Sequence, residues 1–236
     1  MKIQIGLGRQ WTGLGDLLGF LVVANHCPDK YQIVLADHMK RFQPLFVGYD
    51  TIVDDSILPL NTHLNLKSGL TGCHAYKTML NNLSIKADNY MPRIDIKKLK
   101  EMHNCNFLKR NKEKYAKEII LSTNPSKTAE AYRKVPASYF EEYIKQQSDT
   151  LFHHFRLDWH YSFSFENVAE YTNIDVASYA LACNEIGDFL GVNTGDYHLA
   201  VASGIPPEKV KVVMKKDAPR SAIVQWIYPE TELILI

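Results

Sequence analysis

Two short stretches of this chain carry residue types at spacings that can do chemistry. The first is Asn193-Thr194-Gly195-Asp196, with His198 close behind. The apolar run Phe189 to Val192 ahead of it reads as a buried parallel strand. Asn193 or Thr194 can cap a helix that starts there, and Asp196 suits the positive end of its dipole. A polar, glycine-bearing turn between a parallel strand and a helix N-terminus is where open α/β sheets bind anionic ligands. The same residues also suit an ordinary strand-turn-helix connection in which His198 only locks the loop. The second stretch is Gly13-Leu14-Gly15-Asp16. A carboxylate on a glycine loop can approach a substrate closely enough to act as a general base, and it can equally be a plain helix cap.

The elements that must position these residues follow an alternating plan. Lys2 to Leu7 reads as a first strand, followed by a glycine-bearing loop and an apolar helix, Leu17 to Cys27, with Asp16 as its N-cap or first-turn acid. Tyr31 to Ala36 is a strand, Met39 to Phe46 a short helix and Thr51 to Val53 a third strand, the order of half a doubly wound sheet. Residues 55–70 read as loop, with Gly69 ahead of a helix from His74 to Leu83. The segment 97–117 holds eight Lys or Arg residues and reads as a solvated helix face or a linker, with a patch for a phosphorylated acceptor as the functional alternative. A second α/β unit then begins. Its expected elements are a strand at Glu118 to Leu121, a helix from Pro136 to Gln147, a strand at Leu151 to Phe155 and an aromatic loop with Trp159, His160 and Tyr161. Beyond these come a helix from Asp175 to Cys183, the strand at Phe189, the helix after Thr194, and strands at Val210 to Met214 and Ala222 to Ile227. The tail Leu233 to Ile236 pairs or packs.

Composition narrows the function classes. The 27 basic and 26 acidic residues nearly cancel, so no global charge points to nucleic acid or to a membrane surface. Cys27, Cys73, Cys105 and Cys183 lack metal-ligand spacing and read as reduced structural thiols. The longest apolar run, Leu17 to Ala24, is too short to span a bilayer, and the expected location is cytoplasmic.

The motif N-T-G-x-x-H-L-A, followed by a small-residue helix and G-I-P, is similar to the C-terminal signature of the ADP-heptose:lipopolysaccharide heptosyltransferase family. The family's usual form is D-T-G-x-x-H-L-A, so Asn193 stands where the family has an acid. Gly13-Leu14-Gly15-Asp16-Leu17-Leu18 resembles its N-terminal signature, a glycine-rich loop ending in G-D before an apolar helix. Ser122-Thr123-Asn124 occupies the place of the loop after the second domain's first strand, and Arg133-Lys134-Val135-Pro136 resembles the basic stretch before W-P. The resemblance implies an α/β fold of two Rossmann-like parallel-sheet domains facing a cleft (GT-B). Residues 1–115 would hold the acceptor and 116–236 the nucleotide-sugar.

What the family resemblance implies is an inverting, metal-independent glycosyltransferase, with the nucleotide-sugar as substrate, a glycan or other hydroxyl-bearing acceptor, and no cofactor. It gives Asp16 the role of base and makes Gly13 and Gly15 the acceptor-side loop. Thr123, Arg133, Lys134, Asn193, Thr194, Gly195 and His198 fall on the donor side. Chemistry of that kind needs positive charge and oriented N–H groups for a departing diphosphate, which Arg133, Lys134 and the start of the helix at Thr194-Gly195-Asp196 can supply. A solvated Lys134 and an Asn193 that is only a cap remain open. Two rival functions also stand. One is a transferase acting on a modified nucleic-acid base, with segment 97–117 tracking the phosphates, and the other is a nucleotide-sugar binder without catalysis.

Overall fold

The structure, a computed structural model, describes residues 2–6, 13–56, 74–123, 125, 129–156 and 160–236. Leu7, the loop of residues 8–12, Gly69, Cys73, Asn124 and Trp159 lie outside the described residues. Strands β1 (Ile3–Gly6), β2 (Tyr31–Leu35) and β3 (Thr51–Val53) form one parallel sheet in chain order. Helix α1 (Leu14–His26) crosses from β1 to β2 and is buried from Leu17 to Ala24, as its apolar run requires. The expected helix before β3 is a ten-residue 3-10 segment, Asp37–Phe46, with Pro44 inside it. Helices α2 (Ala75–Asn82) and α3 (Ile96–Met102) lead into the second half.

That half is a six-stranded sheet, parallel throughout. Its strands are β4 (Lys117–Ser122), β5 (Thr150–Arg156), β6 (Val168–Thr172), β7 (Phe189–Val192), β8 (Val210–Met214) and β9 (Glu232–Leu235), in the order β6-β5-β4-β7-β8-β9. The chain builds outward from β4 to β6, returns, and builds outward the other way from β7. The direction of winding therefore reverses between β4 and β7, and α/β sheets open a crevice above such a reversal. Helices α4 (Ala137–Gln146), α5 (Val176–Ile186), α6 (Gly195–Ala202) and α7 (Arg220–Trp226) make the crossovers. The α/β class with parallel sheets holds. The strand expected at Ala222 to Ile227 is instead α7, because β8 and β9 run parallel and need a crossover between them. Strand β6 lies in a stretch that the aromatic run before it disguised as loop.

Alternation on the strands serves two layers. Ile120, Phe189, Val210, Val212 and Met214 join α1, α5 and α6 in one core, and that core continues through Ile5, Ile33 and Leu35 of the first sheet. Leu121, Phe152, Leu190, Val192 and Val213 face the opposite side with Phe140 and Ile144 of α4.

The two halves meet where α1 and α6 begin. A Cβ added at Gly195 would lie 2.7 Å from the Leu14 Cβ and 3.2 Å from the Gly15 amide nitrogen. Gly195→Val is accordingly expected to destabilise the fold by about 1–3 kcal/mol through overpacking, measured as a lower urea midpoint at unchanged slope. An unaltered midpoint would show that the two turns do not press together.

Candidate functional site

The contact between these glycine turns brings the two candidate stretches into one place. Gly13 is the N-cap of α1, and Asp16 lies in its first turn, half-buried, with its carboxylate folded back toward Gly13. The acid is thus a first-turn residue rather than the cap itself. Tyr76 of α2 donates its hydroxyl to the Gly15 carbonyl at 2.5 Å and so fixes the turn from below. Thr194 caps α6 through its extended backbone, and Gly195 is the helix's first residue.

His198 is 2% exposed and sits in a cage of rings from His74, Tyr76, Tyr197, Trp226 and Tyr228. Its Nδ1 lies 3.3 Å from the Tyr228 hydroxyl. Burial, aided by the neighbouring His74 and Arg133, drives its pKa well below the ordinary histidine value, so the ring is neutral. A Cβ on Gly15 would lie 3.1 Å from this ring, which makes His198 the floor against which the Gly13–Asp16 turn rests.

Above the sheet, Ser122 ends β4 opposite Gly191 of β7, on the two sides of the winding reversal. Its hydroxyl donates to Oδ2 of Asp196 at 2.8 Å. Burial raises the Asp196 carboxyl, while the Ser122 bond and the charge of His160 pull the other way. Thr123 is fully buried with Oγ1 3.1 Å from His154 Nε2, and His154 Nδ1 lies 3.3 Å from Glu170. That chain of contacts crosses β4, β5 and β6 and fixes the β4 turn from within the sheet. Asn193 is 1% exposed, and its Nδ2, like the buried Oγ1 of Thr194, has no hydrogen-bond partner among the described residues. Arg133 ends a 3-10 turn, is half-buried beside Glu130 at 3.2 Å, and lies close enough to His198 to act on its charge. Lys134 follows it and is exposed.

The structure therefore gathers Gly13, Gly15, Asp16, Gly195 and His198 around one contact, with Thr194 as the cap of the same helix. Thr123 lies one residue beyond the end of β4, beside the winding reversal. Sequence reasoning did not place the Ser122–Asp196 bond or the His154–Glu170 pair in the site. The two consecutive histidines in the apolar strand Thr150–Arg156 were the available signal, since a buried histidine needs polar partners. Within segment 97–117, Lys98 pairs with Asp95, Arg110 with Glu118 and Glu185, and Lys114 with Glu166. The described cysteines Cys27, Cys105 and Cys183 are free. Among the described residues no three His, Cys, Asp or Glu side chains group as a metal site, and no helix is long and apolar enough to cross a membrane.

Burial lowers the pKa of His154 from 6.5 to about 4 and that of His74 from 6.5 to about 3. Unfolded chains then bind more protons than folded ones as the pH falls below about 6.5, so stability is full above that value and declines toward pH 4. The raised Asp196 carboxyl acts in the opposite sense at the acid end. Urea midpoints at pH 7.5, 5.5 and 4.5 are expected to fall in that order, and His154→Gln to flatten the decline.

By sequence, no family model and no curated protein matches the chain. By structure it is similar to E. coli ADP-heptose LPS heptosyltransferase II, with a TM-score of 0.65 at 9% identity over 99% of this chain and 90% of that one. E. coli heptosyltransferase WaaC with ADP gives 0.61 at 10% identity over 100% and 93%. TibC, an iron-containing dodecameric glycosyltransferase of enterotoxigenic E. coli H10407, gives 0.59 at 14% identity over 97% of this chain and 60% of that one. The chain has the fold of these heptosyltransferases.

Proposed function

We propose that the chain is a glycosyltransferase that moves a sugar from a nucleotide-sugar to an acceptor hydroxyl, with inversion and without a metal ion. The observation that carries this reading is the contact of the Gly13–Asp16 turn with the start of α6, which puts a carboxylate beside a helix N-terminus fit for a diphosphate. The structural neighbours, which are glycosyltransferases, support it. In this reading the unit 1–115 holds the acceptor and the unit 116–236 the donor.

The acceptor oxygen attacks the anomeric carbon from the face opposite the diphosphate. As the new C–O bond forms, the bond from the anomeric carbon to the phosphate oxygen breaks, and the acceptor proton passes to the Asp16 carboxylate. Negative charge grows on the departing diphosphate. The first N–H groups of α6, from Gly195 onward beyond the Thr194 cap, and the cations of Arg133 and Lys134 receive it. Asn193 hydrogen-bonds the donor, while Thr123 and His198 hold the two turns that touch it. The nucleotide-sugar is a substrate, and the chemistry calls on no cofactor.

Asp16→Asn tests the assignment, because asparagine keeps the size of the side chain and most of its hydrogen bonding. Donor affinity and urea midpoint are expected to stay near the parent values, and single-turnover transfer to fall by ~10²–10⁴. A loss under about tenfold would leave Asp16 a first-turn helix acid and nothing more.

A further inference from the structure

We propose that Asp196 is the specificity-determining acid of the donor site, accepting a hydrogen bond from a sugar hydroxyl at the crevice between β4 and β7. This rests on the nucleotide-sugar reading above and names the residue that separates a sugar-bearing donor from a bare nucleoside diphosphate.

Three observations carry it. The carboxylate stands over the point where the winding of the six-stranded sheet reverses, between the end of β4 and the turn after β7, and it is only half-buried. Its Oδ2 is already engaged by a hydroxyl, that of Ser122 at 2.8 Å, so a sugar hydroxyl offers the same donor chemistry to the same acceptor. Asn193 Nδ2 and Thr194 Oγ1, on the turn leading into α6, are buried and have no partner among the described residues. A buried polar group left unpaired costs about 1–3 kcal/mol, and a polyhydroxyl ring presents both the acceptors and the donors that these two atoms lack.

A phosphate does not suit the position of the carboxylate, because a diphosphate brings only further acceptors to an oxygen that is placed to accept. The diphosphate is placed instead on the backbone N–H groups at the start of α6, on the side of Arg133. His160 lies near enough to act on Asp196 and, with the Ser122 hydroxyl, pulls its carboxyl down, although burial outweighs both and leaves it raised.

The test measures, by calorimetry on the full chain, affinities for ADP, GDP and UDP and for their hexose and heptose conjugates. For the base that the parent binds best, the ratio of conjugate affinity to diphosphate affinity is read in the parent, in Asp196→Asn and in Ser122→Ala. Asp196→Asn is expected to lose about tenfold or more in conjugate affinity while its affinity for the bare diphosphate holds or improves. Ser122→Ala, which releases the carboxylate from its present donor, is expected to raise the ratio and keeps the test open if Asp196→Asn does not fold. Equal losses for both ligands, an unchanged ratio, or a parent that does not prefer the conjugate overturn the role of Asp196 and leave the transferase reading standing. A parent that binds none of these ligands overturns the transferase reading, and this proposal with it.

Discussion

The contact between Gly15 and Gly195 is the constraint on which the rest of the site depends. A Cβ on Gly195 would strike the Leu14 Cβ at 2.7 Å, and one on Gly15 would press on the His198 ring at 3.1 Å, so the approach of α1 to α6 depends on two missing side chains. Electrostatics makes that approach costly by itself. Each helix N-terminus carries the equivalent of roughly half a positive charge, and here α1 and α6 bring two of them together. Asp16 and Asp196 lie in the first turns of the two helices and offset that field from either side. The same field makes the neighbourhood attractive to a diphosphate. Where carboxylates already occupy part of it, anion and hydroxyl groups of a ligand are sorted to different positions.

The aromatic cage around His198 has its meaning in this light. A charged histidine beneath two helix N-termini would add a third positive group to a crowded site. Burial keeps the ring neutral, and the Tyr228 and Tyr76 hydroxyls hold His198 and the Gly15 carbonyl. Tyr228 is in turn fixed from its own amide by the Tyr197 hydroxyl, which also meets Thr231. The cage thus draws on α2 and its cap, on α6, on the end of α7 and on the segment between α7 and β9. Its part is to hold backbone still rather than to supply charge.

Much of the architecture was legible in the sequence because apolar periodicity is strong in the second half. Phe189–Val192 and Val210–Met214 are buried strands whose apolar residues leave no other reading. Ala222 to Ile227 misled because its β-branched and aromatic residues favour a strand locally, whereas the demand for a crossover between two parallel strands is global. The glycine turns and Asp16 were legible from residue type. The pairing of Ser122 with Asp196 was not, since 74 residues separate them and only the closing of β4 against β7 brings them together. Thr123 was legible as a turn residue, but its hydroxyl is turned to His154 by a strand order that no local pattern carries.

The shared core bears on how a ligand reaches this site. α1 buries eight consecutive residues, from Leu17 to Ala24, and does so in a cluster that runs without interruption into α5, α6 and both sheets. A hinge that separated the halves would draw α1 away from α6, and each large apolar side chain so exposed would cost about 1.5–3 kcal/mol. Several such side chains together exceed what a typical ligand returns on binding, since even nanomolar affinity corresponds to about 12 kcal/mol. The turns are therefore held in contact whether or not a ligand is bound, and in the proposed reading a donor meets them at the winding reversal between β4 and β7. A preformed site of this kind spends little binding energy on closure, so discrimination must come from the few polar groups that border the crevice. In the proposed site Ser122, Asn193, Thr194 and Asp196 are those groups, and three of the four lie within four consecutive residues of a single turn.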